Sequence, residues 1–208
     1  MQSTAYRLIE FFIAFVLIPL SFTLDIPIGF KLSSGLIGFV YVIFVLLRVE
    51  KLRLIVGPDL NWKRFFKRIL VQLFGIVILT TLYVWFFDKD QLFIVLLNKP
   101  LLWLMILFIY SFFSVYPQEL IYRTFFFSRY NSVFKDPRLL MFINAIVFSL
   151  GHIFFRNALV MVLTFVGGLL FAFTFQKTKS TLLVTVEHAI YGSWLFTVGM
   201  GNMLGFPS

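Results

Sequence analysis

An all-α, polytopic membrane protein is the fold class that this sequence predicts, and three observations predict it. Hydrophobic residues make up 61% of the chain, charged residues make up 13%, and the mean hydropathy is +0.97, values that exclude an ordinary soluble domain. Apolar runs long enough to cross about 30 Å of hydrocarbon recur along the chain. Loop-forming and charged residues stand mostly between these runs. We therefore expect a transmembrane helical bundle forming one domain over residues 1–208.

Seven spanning helices are predicted in chain order. They lie at about 8–24, 33–49, 69–87, 101–129, 139–155, 157–176 and 181–199. The first run lacks the short apolar core and small-residue cleavage site of a signal peptide, so we interpret it as a retained helix. Within the single domain, residues 1–100 should carry the N-terminal spans and a basic cytoplasmic loop. Residues 101–200 should carry the side chains capable of chemistry.

The distribution of cations predicts a cytoplasmic N-terminus and an external C-terminus. With this orientation, 14 of the 18 Lys and Arg residues lie on the inner side, as the positive-inside rule requires. The four on the outer side are Lys31, Lys89, Lys99 and Arg156. We expect an integral protein of a prokaryotic plasma (inner) membrane.

The net charge of +9 has to be interpreted together with this topology. In a soluble protein it would suggest a nucleic-acid partner, but here the cations concentrate at one membrane face, so we predict no nucleic-acid binding. The segment NWKRFFKR, 61–68, interleaves aromatic residues with four cations. We expect the basic loop 51–68 to contact anionic lipid. The chain contains no cysteine, which excludes disulfides and a thiol nucleophile.

Ionisable residues inside the spans are costly in hydrocarbon and indicate function by default. Of the nine carboxylates, only Glu119 and Glu187 are predicted to lie deep, whereas Glu10 is placed in the first turns of its helix. The two histidines of the chain, His152 and His188, also fall within predicted spans. These four deep groups all lie in the C-terminal half.

Helical geometry predicts which of these groups meet. Glu119 and Arg123 are four residues apart, so their side chains should be neighbours that partly offset each other's burial. At 1.5 Å per residue, Glu119, His152 and His188 lie roughly 16, 20 and 12 Å from the inner ends of their helices. With ordinary helix tilt, we expect the three to converge near the bilayer midplane.

A purely structural interpretation accounts for each of these features separately. Asn144, Phe148 and His152 recur at four-residue steps and share a helix face, but packing alone produces the same pattern. A buried Glu–Arg pair can serve only to hold helices together, and a lone histidine is more often a packing residue than a ligand. The combination on three helices at compatible depth favours function.

Three short motifs give the chain a family resemblance. Gln118-Glu119-Leu120-Ile121-Tyr122-Arg123, Phe148-Ser149-Leu150-Gly151-His152 and His188-Ala189-Ile190-Tyr191-Gly192 resemble, in order, the EExxxR, FxxxH and HxxxN motifs of the CPBP family. These intramembrane endopeptidases include CAAX proteases, bacteriocin-processing enzymes and the type II CAAX prenyl proteases. The resemblance implies membrane-associated peptide or prenylated protein substrates and a site containing Glu119, Arg123, His152 and His188. Further candidates for the substrate cavity are Gln118, Tyr122, Asn144, Phe148, Glu187 and Tyr191.

The chain departs from the family pattern at two positions. Gln118 stands where the family usually has the first glutamate, the residue generally assigned to activating water. Gly192 stands where the last motif often has Asn. Either Glu119 takes the role of the base, or the chain is a relative with weakened or lost activity.

Peptide hydrolysis requires a base for water, a group that stabilises the oxyanion, and a proton for the leaving amine. Glu119, His152 and His188 can meet these requirements, and no serine lies in a GxSxG setting. Because the chain has only two histidines, a zinc site would need both of them and a carboxylate, Glu119 or Glu187. A glutamate mechanism without metal uses the same residues, with the histidines as oxyanion donors. The sequence is equally consistent with both mechanisms.

A function without catalysis is the alternative. Buried Glu, His and Arg residues also form proton relays and substrate paths in transporters, and a non-catalytic relative would have a similar sequence. The sequence repeats common in transporters are not visible here.

Overall fold

The all-α class is confirmed by a computed structural model, which describes residues 3–50 and 61–205. The structure is 84% helical, and no strand occurs among the described residues. The main helices are α1 (Thr4–Ser21), α2 (Ile28–Arg48), α3 (Trp62–Phe87), α4 (Pro100–Tyr130), α5 (Pro137–Leu150), α6 (Ala158–Thr178) and α7 (Thr181–Val198). A 3₁₀ turn, Ile153–Phe155, follows α5 closely.

Six stretches among the described residues are long and apolar enough to cross a membrane: the helices α1 to α4, α5 together with its 3₁₀ turn, and α6. The seventh predicted span corresponds to α7, which has 18 residues, and its crossing stays a prediction. The orientation of the chain also stays a prediction. Large apolar side chains such as Leu79, Phe86 and Phe87 are exposed on the helices, as expected for surfaces that contact lipid.

The second half of the predicted basic loop 51–68 is helical in the structure. Residues 51–60, including Lys51 and Arg53, lie outside the described residues. Residues 62–68 are not a loop but the first turns of α3, because the Asn61 side chain accepts a hydrogen bond from the Arg64 backbone N–H at 2.9 Å. This capping starts the helix about two turns before the apolar run that predicted it.

The contacts divide the chain into two units, and each unit combines an N-terminal and a C-terminal segment. Unit 1 comprises Met1–Leu54 and Gln118–Lys177, and unit 2 comprises Ile55–Pro117 and Thr178–Ser208. The α4 helix therefore contributes its first part to unit 2 and its second part to unit 1. The single domain predicted over 1–208, with parts 1–100 and 101–200, stays a prediction.

Unit 1 contains a buried ionic cluster that the sequence analysis did not predict. Glu10 is buried, and its two carboxylate oxygens accept from Arg129 Nε at 2.9 Å and Nη2 at 2.7 Å. Tyr41 and Tyr130 also donate to this carboxylate, and Arg129 Nη1 donates to Glu50. Glu10 does lie near the start of α1, as predicted, but its burial and its pairing with Arg129, 119 residues away in the chain, were not predicted.

Unit 2 has an apolar core around the first part of α4. It includes Val95, Ile106, Tyr110, Val115 and Phe196. The α7 helix ends at Gly199, which adopts a positive φ of 108°, a conformation that favours glycine. A Cβ there would also overlap the backbone of Gln91.

Candidate active site

The centre of the candidate site in unit 1 is a buried ion pair on α4. Arg123 Nε lies 3.2 Å from Glu119 Oε2, and both side chains are fully buried. The pair has the spacing of four residues that predicted it. Helix α4 changes from α to π winding at Leu120 and keeps it to Phe125, so the pair lies in an irregular turn of a kind often found at functional sites.

The α5 helix holds the guanidinium from the other side. Arg123 Nη1 donates to Asn144 Oδ1 at 2.7 Å, and Asn144 Nδ2 donates to the Tyr122 carbonyl at 2.6 Å. The guanidinium carbon lies 4.6 Å from the centroid of the Phe148 ring, a cation–π distance. Because Asn144 and Phe148 both hold Arg123, the cation that pairs with the Glu119 carboxylate has a defined position.

His152 follows the end of α5 and packs on the same face. Its Nδ1 lies 2.8 Å from the Phe148 carbonyl oxygen, and its ring centroid lies 4.9 Å from that of Phe148. A carbonyl oxygen only accepts, so Nδ1 carries the proton in this contact. The other nitrogen, Nε2, is then the acceptor in neutral His152.

Tyr122 and Gln118 complete the unit 1 group of predicted residues. The Tyr122 ring packs against Phe148 at 5.2 Å, and its hydroxyl occupies the space that a Cβ at Gly151 would need. Gln118 is half-buried and directly precedes Glu119. Unit 1 therefore brings Glu119, Arg123, Asn144, Phe148 and His152 into one connected group.

Unit 2 contains the other predicted residues, on α7. Glu187 is fully buried and lies 3.6 Å from Arg68 Nη2. The Tyr191 hydroxyl lies 3.3 Å from Glu187 Oε1 and 2.9 Å from Gln72 Oε1. His188 is buried, and its ring centroid lies 6.0 Å from that of Tyr110.

Three residues of this unit 2 group were not predicted from the sequence: Arg68, Gln72 and Tyr110. Arg68 was assigned with its neighbours to lipid contact, yet its side chain is 25% exposed and pairs with Glu187. No local pattern connects α3 with α7, because their sequence periodicities do not specify which faces meet. The buried charge of Glu187 was the available signal, since a buried carboxylate requires a cation or donors nearby.

A protein site for a metal ion needs several ligand side chains that lie close together. Among residues 3–50 and 61–205, no three His, Cys, Asp or Glu side chains lie close enough together to hold a metal ion. Unit 1 contributes Glu119 and His152, and unit 2 contributes Glu187 and His188. The predicted zinc ligands His152, His188 and Glu119 belong to both units, and zinc binding by them stays a prediction.

Comparison with known proteins gives a match to one family model. Residues 100–194 match the model of the type II CAAX prenyl endopeptidase Rce1-like family. Comparison with curated proteins and with solved structures gives no significant match. The matched segment contains all three motifs, from Gln118 to Gly192. The family resemblance is thus confirmed over residues 100–194, which match the model of the Rce1-like type II CAAX prenyl endopeptidase domain.

Proposed function

We propose that this chain hydrolyses peptide bonds of membrane-associated substrates with a water molecule activated by Glu119. The Rce1-like family is a protease family, which supports an intramembrane endopeptidase at the level of the family. The observation that carries the residue assignment is the fully buried Glu119–Arg123 pair, fixed by Asn144 and Phe148. A buried carboxylate paired with a guanidinium that Asn144 and Phe148 hold in place is arranged for proton transfer rather than for solvation.

The proposed reaction has two stages. Glu119 removes a proton from water, the water oxygen bonds to the carbonyl carbon, and the π electrons of the C=O bond move to the oxygen. Collapse of this intermediate restores the C=O bond and breaks the C–N bond, and the proton held by Glu119 passes to the leaving nitrogen. His152 Nε2 accepts a hydrogen bond from this water and orients it.

The substrates we propose are peptides presented at the membrane, either prenylated CAAX sequences or membrane-anchored propeptides. The family is consistent with membrane-associated peptide substrates. We place the protein in the plasma membrane of a prokaryote. The catalytic water and the substrate then meet within the spans, as the buried charges of Glu119 and Arg123 favour.

A non-catalytic relative is the second candidate, and Gln118 favours it. A neutral amide cannot take a proton from water at useful pH, so Gln118 cannot act as the base. In that case, the buried Glu, His and Arg residues would bind a ligand or relay protons.

Purified chain in detergent, incubated with prenylated CAAX peptides and with membrane-anchored propeptides, separates the two candidates. We expect cleavage products from one of the two classes, which also identifies the substrate. Binding without cleavage in both classes would support the non-catalytic candidate and refute ours.

Metal content is a separate prediction. The steps above use only side chains of this chain, so we expect full hydrolysis after exhaustive chelation with no bound metal. A zinc site formed by both histidines and one glutamate predicts instead about one equivalent of metal per chain. It also predicts that His152→Ala and His188→Ala each abolish metal binding, which elemental analysis would detect.

We also propose that the start of α3 contacts anionic lipid. Lys63, Phe66, Lys67, Leu70 and Phe74 line one surface groove, with two cations at one end and an exposed apolar stripe below them. Each lysine near an anionic surface contributes roughly 1 kcal/mol. Native mass spectrometry should therefore show weaker retention of phosphatidylglycerol by the double variant Lys63→Ala/Lys67→Ala.

The exposed lysines Lys135 and Lys177 provide a matched control for this lipid experiment. Their double alanine variant removes the same charge from another surface and should retain phosphatidylglycerol like the parent. Equal losses in both double variants would show a general charge effect and no lipid site on α3.

A further inference from the structure

The first helix of unit 1, α1, is held to the C-terminal end of α4 by the buried ion pair of Glu10 and Arg129. Arg129 donates from Nε to Glu10 Oε1 at 2.9 Å and from Nη2 to Glu10 Oε2 at 2.7 Å, and such a bidentate pair fixes direction as well as distance. Tyr130 also donates to Glu10 Oε1 at 2.9 Å, and Arg7 Nη1 donates to the Arg129 carbonyl at 3.0 Å. These contacts set one register between α1 and α4.

The other end of α1 is held beside His152. Arg156 Nη2 donates to the carbonyl of Thr23, just beyond the end of α1, at 2.6 Å. Arg156 directly follows the 3₁₀ turn Ile153–Phe155, and this turn begins at the residue after His152. The last turn of α1, Ile18–Ser21, contacts the same 3₁₀ turn. Helix α1 is therefore tied to α4 at one end and to the segment of His152 at the other.

Between these two ends, Phe15 packs directly on the unit 1 group. The Phe15 ring is buried, and its centroid lies 5.6 Å from that of Tyr122. The Tyr122 carbonyl in turn accepts from Asn144, the residue that holds Arg123. The segment Ile13–Leu17 around Phe15 also contacts α5. Helix α1 therefore contacts both helices whose side chains form the group.

A buried ion pair contributes little net stability by itself. Removing two charges from water costs about as much free energy as their attraction returns, so apolar residues of similar volume are often equally stable in the same place. The best-attested use of such a pair is to select one register between helices, because a shifted helix would leave a buried charge unpaired. Glu10 lies outside residues 100–194, which match the family model, so this contact extends the site beyond the sequence motifs.

We infer that Glu10 and Arg129 are positioning residues of the unit 1 site. Their pair fixes the register of α1 on α4, and α1 in turn sets the separation between the Glu119–Arg123 pair and His152. The inference rests on the proposed function, in which Glu119 and His152 act on one water molecule. The positioning residues act through the helices and not on the substrate. A displacement of the catalytic groups by about 1 Å can lower a rate by about 10².

Replacement of the pair by apolar residues separates positioning from stability. The triple variant Glu10→Leu/Arg129→Met/Tyr130→Phe removes both charges and a hydroxyl that donates to Glu10. We expect its unfolding free energy to stay close to that of the parent. Its kcat should fall by roughly 10- to 10²-fold with little change in KM, because substrate still binds while the catalytic groups are displaced.

Asp25→Leu/Arg138→Met is the matched control for this variant. It removes one carboxylate and one guanidinium that are exposed in the same unit, and it should hydrolyse substrate at the parent rate. Glu10→Gln covers the case in which the triple variant does not fold. The amide keeps the size of the side chain but lacks its charge, so we expect a smaller loss of kcat at the parent KM.

The coupling between Arg123 and Asn144 tests the positioning without relying on hydrolysis. These two side chains join α4 to α5 through a hydrogen bond of 2.7 Å. A double-mutant cycle with Arg123→Lys and Asn144→Ala measures their coupling in the free energy of unfolding. We expect this coupling to be smaller in the triple variant, or in Glu10→Gln, than in the parent. The control variant should leave it unchanged.

The outcomes separate this inference from the proposed function. If the triple variant, or Glu10→Gln in its place, has the parent kcat while Glu119→Gln does not cleave, the positioning role is refuted and the proposed function stands. A loss of stability at the parent kcat shows a purely structural pair and refutes the role as well. If the parent chain does not cleave, the proposed function fails, and the Arg123–Asn144 coupling alone decides the positioning: an unchanged coupling refutes it.

Discussion

Glu119→Gln is expected to lower the rate of peptide hydrolysis by at least about 10²–10⁴, the usual effect of losing a general base. The amide keeps the size of the side chain but cannot take a proton from water. Because Arg123 keeps its contacts with Asn144 and Phe148, the variant should remain folded. Hydrolysis of the substrate identified for the parent chain, measured beside an unfolding curve, checks both expectations.

Asp136→Asn is the matched control for this change from carboxylate to amide. Asp136 is exposed and caps α5 by accepting from the Arg138 backbone N–H at 2.8 Å. Asparagine caps helices equally well, so both hydrolysis and stability should match those of the parent.

A further variant, Gln118→Glu, tests whether Glu119 is the catalytic base of an active enzyme. It restores the pair of glutamates usual in the family, and we expect the hydrolysis rate to stay the same or to rise. If Glu119→Gln is as active as the parent, or if only Gln118→Glu creates activity, the natural chain is an inactive relative. The enzyme proposal would then be withdrawn.

Arg123→Ala is expected to have the largest effect on stability. Both members of the pair are fully buried, so the substitution leaves a carboxylate without its cation and Asn144 without its donor. Breaking a buried pair in this way costs about 3–5 kcal/mol of unfolding free energy. Titration with a denaturing detergent in mixed micelles measures this quantity, and hydrolysis should fall with it.

Two further variants, Arg123→Lys and Lys177→Ala, serve as comparisons for this stability measurement. Lysine keeps the charge but lacks the planar fork that reaches Glu119 and Asn144 together, so an intermediate loss is expected. Lys177 is exposed in the same unit, and its removal should change the unfolding free energy little. Parent-like stability and activity in both Arg123 variants would remove the pairing role.

Local sequence patterns were sufficient to predict the helices and the contacts between residues of the same helix. Long apolar runs predicted the helical class and the approximate positions of the spans. A spacing of four residues predicted the Glu119–Arg123 contact, and Asn144 and Phe148 do share the face that meets Arg123. These predictions succeed because backbone hydrogen bonds set the angle between residues of one helix.

Contacts between distant segments could not be predicted in the same way. Arg129 meets Glu10, Arg68 meets Glu187, and Tyr110 lies over Gly192. Each of these contacts depends on the rotation and depth at which two helices pack, which residue spacing within either helix does not specify. The π-helical turns of α4 change the helical register locally as well. The motifs in the sequence therefore identified the family, whereas helix packing determined which groups stand beside the buried carboxylates and His188.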